Sequence, residues 1–138
     1  MAPVRVYLAL GSNLGAREAH LGLAREQLGR VPGITVRGAS SVEETAPLDG
    51  MPQPAYLNQM LSLDTTLSPG ELLEVCHRIE ALAGRDRRAR WESRTLDLDI
   101  VRYGELALEE PGLTLPHPGL PHRDFWRREL DELARSGL

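Results

Sequence analysis

Apolar residues in this chain change their spacing repeatedly, from every second position to every third or fourth and back. The order of those changes limits the fold more than any single motif does. Val4, Val6, Leu8 and Leu10 alternate with Arg5, Tyr7 and Ala9 and stop at Gly11-Ser12-Asn13, which predicts a first strand and its turn. From about Ala16 to Arg30, Leu21, Ala24, Leu28 and Val31 keep helical spacing until Pro32-Gly33 ends the pattern. Ile34 to Ser41 reads as a second strand and the proline-rich stretch 43–54 as a long ordered loop. Tyr56 to Leu67 reads as a third strand, with Leu57, Leu61 and Leu63 on one face and Tyr56, Asn58 and Met60 on the other, a face expected to be partly polar. Ser68-Pro69-Gly70-Glu71 is a capping box with proline at the first helical position. The helix it opens turns Leu72, Leu73, Cys76, Ile79 and Ala83 inward and stops at Gly84. Residues 85–93 carry no period and read as a mobile loop, Thr95 to Tyr103 alternates again, and prolines hold Leu113 to Pro118 extended. Pro121 to Arg135, with Trp126, Leu130 and Leu133 in phase, closes the chain as a helix.

Strand, helix, strand, strand, helix, strand is a βαββαβ plan. It predicts an α+β, ferredoxin-like sandwich whose largely antiparallel sheet packs helices on one face, within a single domain over residues 1–138. Many unrelated activities share that plan, so function has to come from particular side chains.

Composition removes several classes. All 16 basic residues are Arg and none is Lys, which excludes a P-loop, whose lysine must reach the nucleotide phosphates. Net charge is -4, yet Arg85, Arg87, Arg88, Arg90 and Arg94 crowd together, a cluster that calls for anions. Cys76 is the sole cysteine, so neither an intrachain disulfide nor a thiolate metal cluster can form, and its phase in the helix predicts a buried structural thiol. No stretch has the length of a membrane span or the apolar core of a signal peptide, so the expected place is the cytoplasm, with no membrane partner.

Chemistry concentrates in Arg94-Thr95-Leu96-Asp97-Leu98-Asp99-Ile100. On a strand, positions i and i+2 point the same way, so Asp97 and Asp99 project together while Leu96, Leu98 and Ile100 enter the core. Paired carboxylates repel unless a cation lies between them, and oxygen donors suit Mg²⁺; two such ions about 3.5–4 Å apart would clamp nucleotide phosphates. An exposed strand decorated with acids has the same pattern. The neighbouring arginines tip the balance towards phosphate chemistry, because guanidinium groups bind phosphate oxygens bidentately. His117, held between Pro116 and Pro118, has a fixed ring direction that suits a ligand contact, although a structural histidine is as compatible. His77 and Glu80 share a helix face. Tyr56 and Asn58 share a strand face, where a stacking ring beside an amide would hold a flat heterocycle; packing against a helix is the plainer reading.

These segments, in their order along residues 4–125, resemble the 6-hydroxymethyl-7,8-dihydropterin pyrophosphokinases. The likeness runs through Leu8 to Gly15, Glu44 to Leu48, Pro54 to Asn58, Arg78 to Glu80, Gly84-Arg85, Arg90-Trp91, Arg94 to Ile100, and Leu115 to Pro118 with Arg123 and Phe125. The resemblance implies transfer of a diphosphate from ATP to the hydroxymethyl group of a reduced pterin, a step of folate biosynthesis that releases AMP. It implies two Mg²⁺ ions on Asp97 and Asp99 in each active site, and Arg85 and Arg94 as further catalytic groups. It implies ATP contacts from Leu73, His77, Glu80, Arg87, Arg90, Trp91, Ile100, Thr114, His117 and Arg123. The pterin would meet Gly11, Thr45, Ala46, Leu48, Tyr56, Asn58, Trp91 and Phe125, with Arg90 and Trp91 on a loop that closes over the substrates. This chain departs from the family pattern at Glu92-Ser93, where Gly-Pro or Gly-Ala is usual, and at Trp126-Arg127-Arg128-Glu129-Leu130, where an aliphatic run and Pro-Leu are usual. Ala46 replaces a common proline and His77 a frequent amide.

A monomer is expected. Two other classes remain open to test: a two-metal nucleotidyl transferase or cyclase on the same fold, and a ferredoxin-like RNA-binding module using the Arg cluster. The sheet lacks paired stacking aromatics and the net charge is negative, so no nucleic-acid partner is expected.

Overall fold

Alternation in Val4–Ser12 puts Val6, Leu8 and Leu10 on one face and Tyr7, Ala9 and Gly11 on the other, and this strand, β1, lies at the centre of the sheet. The structure, a computed structural model, describes residues 2–46, 55–84 and 96–138. After β1 come α1 (Arg17–Gly29), β2 (Ile34–Ala39), β3 (Glu43–Thr45), β4 (Tyr56–Thr65), α2 (Pro69–Leu82) and β5 (Asp97–Tyr103). They are followed by β6 (Leu108–Glu110), β7 (Leu113–Leu115), a 3-10 turn at Leu120–His122 and α3 (Asp124–Arg135). The main sheet runs β2-β4-β1-β5 with every neighbouring pair antiparallel, and β3 pairs with the start of β4. Taken by its four long strands, this is the ferredoxin-like α+β arrangement that the order of periods predicts.

On one face, Leu8, Leu10, Leu61, Leu63, Leu98 and Ile100 pack with Leu21 and Leu28 of α1 and Leu72 and Ile79 of α2. Truncating one such buried leucine to alanine costs about 3 kcal/mol. The limits of α2 have local causes. Ser68 Oγ accepts a hydrogen bond from Glu71 N at 3.2 Å, Glu71 Oε1 accepts one from Ser68 N at 2.8 Å, and Gly84 ends the helix at φ +82. Cys76 is buried in this core, and burial pushes its thiol well above the ordinary range, so the thiolate that would make it reactive does not form.

The structure corrects the expected placement of all helices on one face. A bulge opposite Tyr7 and Leu8 leaves Val101 unpaired in the β1–β5 register, and Val101 joins Ala9 and Met60 in an apolar patch on the second face. Trp126 and Leu133 cover it, so α3 lies on the face opposite α1 and α2, and Met60 is buried beneath it rather than sitting on a partly polar surface. The last helix begins at Asp124, after the 3-10 turn, not at Pro121. Within the expected loop at 43–54, Glu43–Thr45 forms an edge strand on β4, and residues 47–54 lie outside the described residues, as do 85–95. A short β6–β7 hairpin extends the strand expected near Leu113. Among the described residues no helix is long and apolar enough to cross a membrane.

Candidate functional site

Strand register assembles most of the site. Gly11 on β1 pairs with Asn58 of β4 on one side and with Asp97 of β5 on the other, and Asn58 in turn pairs with Glu43 of β3. One pleat further along, Ala9 lies between Met60 and Asp99, while Thr45 pairs with Tyr56. Directly opposed residues share a face, so the Tyr56–Asn58 patch and the Asp97–Asp99 pair lie on the α3 side of the sheet. Two strand spacings, roughly 10 Å, separate them. Gly11 keeps that interval open: a Cβ there would stand 3.4 Å from Tyr56 Cδ1 and 3.5 Å from Asn58 Oδ1. Asn58 Nδ2 donates to Thr45 Oγ1 at 2.6 Å, which fixes the amide's orientation.

α3 brings a second group of residues to the carboxylates. Arg123 precedes the helix, and docking of Trp126 into the second core holds the Arg123 guanidinium 4.4 Å from the indole centroid. The His117 ring meets Trp126 edge-on at 4.9 Å. Gly119 N donates to His117 Nδ1 at 2.9 Å, so in the neutral imidazole the proton is on Nε2, the atom facing Asp99 Oδ1 at 3.7 Å. Arg123 lies 3.9 Å from Asp99 Oδ2. Both separations exceed hydrogen-bond length, and the Asp99 side chain is 39% exposed, so its oxygens have room for a ligand.

From the other face, Glu80 reaches the same strand. It is 1% exposed, and its Oε2 accepts from the N–H of Leu98, the residue between the two aspartates. Leu73 and His77 are half-buried on α2 and Thr114 half-buried on β7, whereas Ile100 is packed into the main core. Phe125 is partly buried against the α3 cluster, and Ala46 is exposed just beyond β3. Leu48, Arg85, Arg87, Arg90, Trp91 and Arg94 lie outside the described residues.

The structure thus joins Gly11, Thr45, Tyr56, Asn58, Asp97, Asp99, His117 and Arg123 on one face, and it adds residues that the sequence reading missed. Trp126 supports both His117 and Arg123, and its spacing of three from Arg123 was the available signal. Gly119 admits both side chains: a Cβ there would stand 2.9 Å from Arg123 Nε and 3.1 Å from His117 Nδ1.

Two neighbouring carboxylates suit a small dication, whose charge relieves their repulsion. Among the described residues no group of three or more His, Cys, Asp or Glu gathers as a metal cage.

Comparison with known proteins agrees with this reading. A family model described as 7,8-dihydro-6-hydroxymethylpterin-pyrophosphokinase matches residues 7–135. A 2-amino-4-hydroxy-6-hydroxymethyldihydropteridine pyrophosphokinase of Methylorubrum extorquens is 41% identical over 94% of this chain and 82% of its own length. The protein of the same name from Bacillus subtilis is 40% identical over 94% of this chain and 78% of its own length. A bifunctional protein FolKE of Lactococcus lactis is similar at 36% identity, with the match covering 37% of that longer chain.

Proposed function

The chain belongs to the 7,8-dihydro-6-hydroxymethylpterin-pyrophosphokinase family, and from that premise we propose how this sheet face carries out the transfer of a diphosphate from ATP to the hydroxymethyl group of 6-hydroxymethyl-7,8-dihydropterin. The observation that supports it best is the register across β4, β1 and β5, in which an aromatic–amide patch and a carboxylate pair face the same way on either side of a glycine.

The pterin lies over Gly11 between Tyr56 and Phe125, and the Asn58 amide, held by Thr45, meets its polar edge. Ala46 would border that end, and Leu48, outside the described residues, is the further pterin contact that the family resemblance implies. The hydroxymethyl group then points across β1 towards the phosphates. Asp97 and Asp99 would hold the two Mg²⁺ ions, which when bound supply charge neutralisation for the triphosphate. Arg123, held over the Trp126 ring, presents its guanidinium to the same phosphates. His117 directs Nε2–H beside it, and Arg85 and Arg94, outside the described residues, are the further phosphate-binding groups that the family resemblance implies. Leu73, His77 and Thr114 border the adenosine side, and Glu80 holds the strand between the aspartates through Leu98 N.

In the reaction the pterin hydroxyl oxygen forms a bond to the β-phosphorus, the bond from that phosphorus to the α–β bridging oxygen breaks, AMP leaves, and the hydroxyl proton is released. Such transition states need alignment and charge stabilisation more than covalent help, which is what arginines and paired carboxylates on a rigid sheet provide. Incubation with ATP, Mg²⁺ and the reduced pterin should yield AMP and pterin diphosphate in equal amounts; ADP as the nucleotide product would reject this assignment.

A further inference from the structure

Glu129 of α3 is 3% exposed, and no N–H or O–H donor among the described residues reaches either of its carboxyl oxygens. Glu43 Oε1 on β3 is likewise buried without a donor, and the two carboxyls lie against each other. The other groups facing them are Arg128, whose guanidinium lies 3.3 Å from Glu43 Oε2, and Glu132, whose Oε2 is held by Ser41 N at 2.7 Å and Ser41 Oγ at 3.1 Å. Two ionised carboxylates in so dry a place would repel strongly, whereas one proton shared between them satisfies the orphaned oxygens. The proton is assigned to Glu129, the more deeply buried of the two, with the Arg128 guanidinium on the Glu43 side. Burial and the adjacent Glu43 together push the Glu129 carboxyl up to about 9. Glu43 sits opposite Asn58 in the β3–β4 register, and Asn58 bonds to Thr45 of the same short strand. Edge strands of three residues have little pairing of their own, so what clamps β3 from above sets where Thr45 and Asn58 stand.

We propose that Glu129 and Glu43 form a carboxylic acid–carboxylate pair that fastens β3 to α3, making Glu129 a positioning residue for the pterin side of the site. The link to the pterin rests on the assigned reaction; the pair itself does not. When Glu129 ionises, the shared hydrogen bond is replaced by repulsion, β3 loosens, and Thr45 and Asn58 lose their fixed orientation.

Carbon-13 NMR of glutamate-labelled protein reads the pair without substrate. The Glu129 carboxyl carbon should titrate near pH 9, and Glu43→Gln should lower that step by more than about one unit. Steady-state kinetics then reads the link to the site. Glu129→Leu should raise the KM for pterin by about ten-fold, equivalent to about 1.4 kcal/mol, with kcat and the KM for ATP nearly unchanged. Glu129→Gln, which keeps a neutral donor, should restore the pterin KM at pH 7 and abolish its rise between pH 8 and 10. Titration of Glu129 in the ordinary carboxylate range would overturn the pair. A change shared equally by both substrates, or no change in either, would overturn its positioning role. If Glu129→Leu does not fold, the titration and the pH profile of Glu129→Gln decide the matter, and an enzyme inactive on pterin would count against the assigned reaction while leaving the titration to judge the pair.

Discussion

At the scale of single residues, the proposed function depends on side chains whose directions the backbone leaves little freedom to change. Asp97 and Asp99 point together because the pleat has a period of two, and Glu80 pins the strand between them. Replacing either aspartate by alanine should lower kcat by at least about 10²–10³-fold while the urea midpoint stays in place; near-normal turnover would remove the metal role. Gly119 has an ordinary φ of -75, so its importance is space rather than backbone freedom. Gly119→Val should displace the Arg123 guanidinium and the His117 ring and cost activity without unfolding the protein, and parallel losses of kcat and thermal stability would contradict that. The aspartate pair, Tyr56 with Asn58, and His117 were legible in the sequence because period and flanking prolines set their directions locally. Trp126 as a platform and Glu43 with Glu129 were not, since each depends on a partner far along the chain.

At the scale of elements, local chemistry explains some boundaries and distant packing explains the rest. α2 could be read from its capping box and terminal glycine alone, and Ser68→Ala should destabilise the protein by about 1 kcal/mol, measured by urea unfolding; no change would mean that packing, not the cap, sets the start of the helix. β3 could not be read this way. Three residues with no clear alternation become a strand only because they lie along the outer edge of β4 at Tyr56, Leu57 and Asn58, beyond the stretch that β2 covers. The side on which α3 packs was equally hidden, because it follows from a bulge that turns Val101 towards Ala9 and Met60. Trp126→Ala should therefore do two things at once: cost about 3–5 kcal/mol of stability and release Arg123 and His117, with turnover falling even under conditions where the variant remains folded.

At the scale of the whole molecule, the proposed function has the sheet keep two tasks apart on one surface, with helices α1 and α2 packed on the opposite face and α3 on the same face as the candidate site. Stability should carry the signature of Glu129. Its carboxyl has a folded-state value raised above the ordinary glutamate range, so its contribution is full at pH values below that range and is lost as pH rises towards about 9. Urea unfolding across this window should show wild type weakening relative to Glu129→Gln by up to about 1.4 kcal/mol per pH unit; parallel profiles would refute the shift. The central claim is that the pterin and the nucleotide phosphates meet across Gly11 on the α3 side of this sheet. A crystal soaked with Mg²⁺, a non-hydrolysable ATP analogue and the reduced pterin tests it directly. We predict the bicyclic ring between Tyr56 and Phe125, with ions bound by both Asp97 and Asp99; a pterin bound elsewhere, or aspartates turned away from the phosphates, would contradict it.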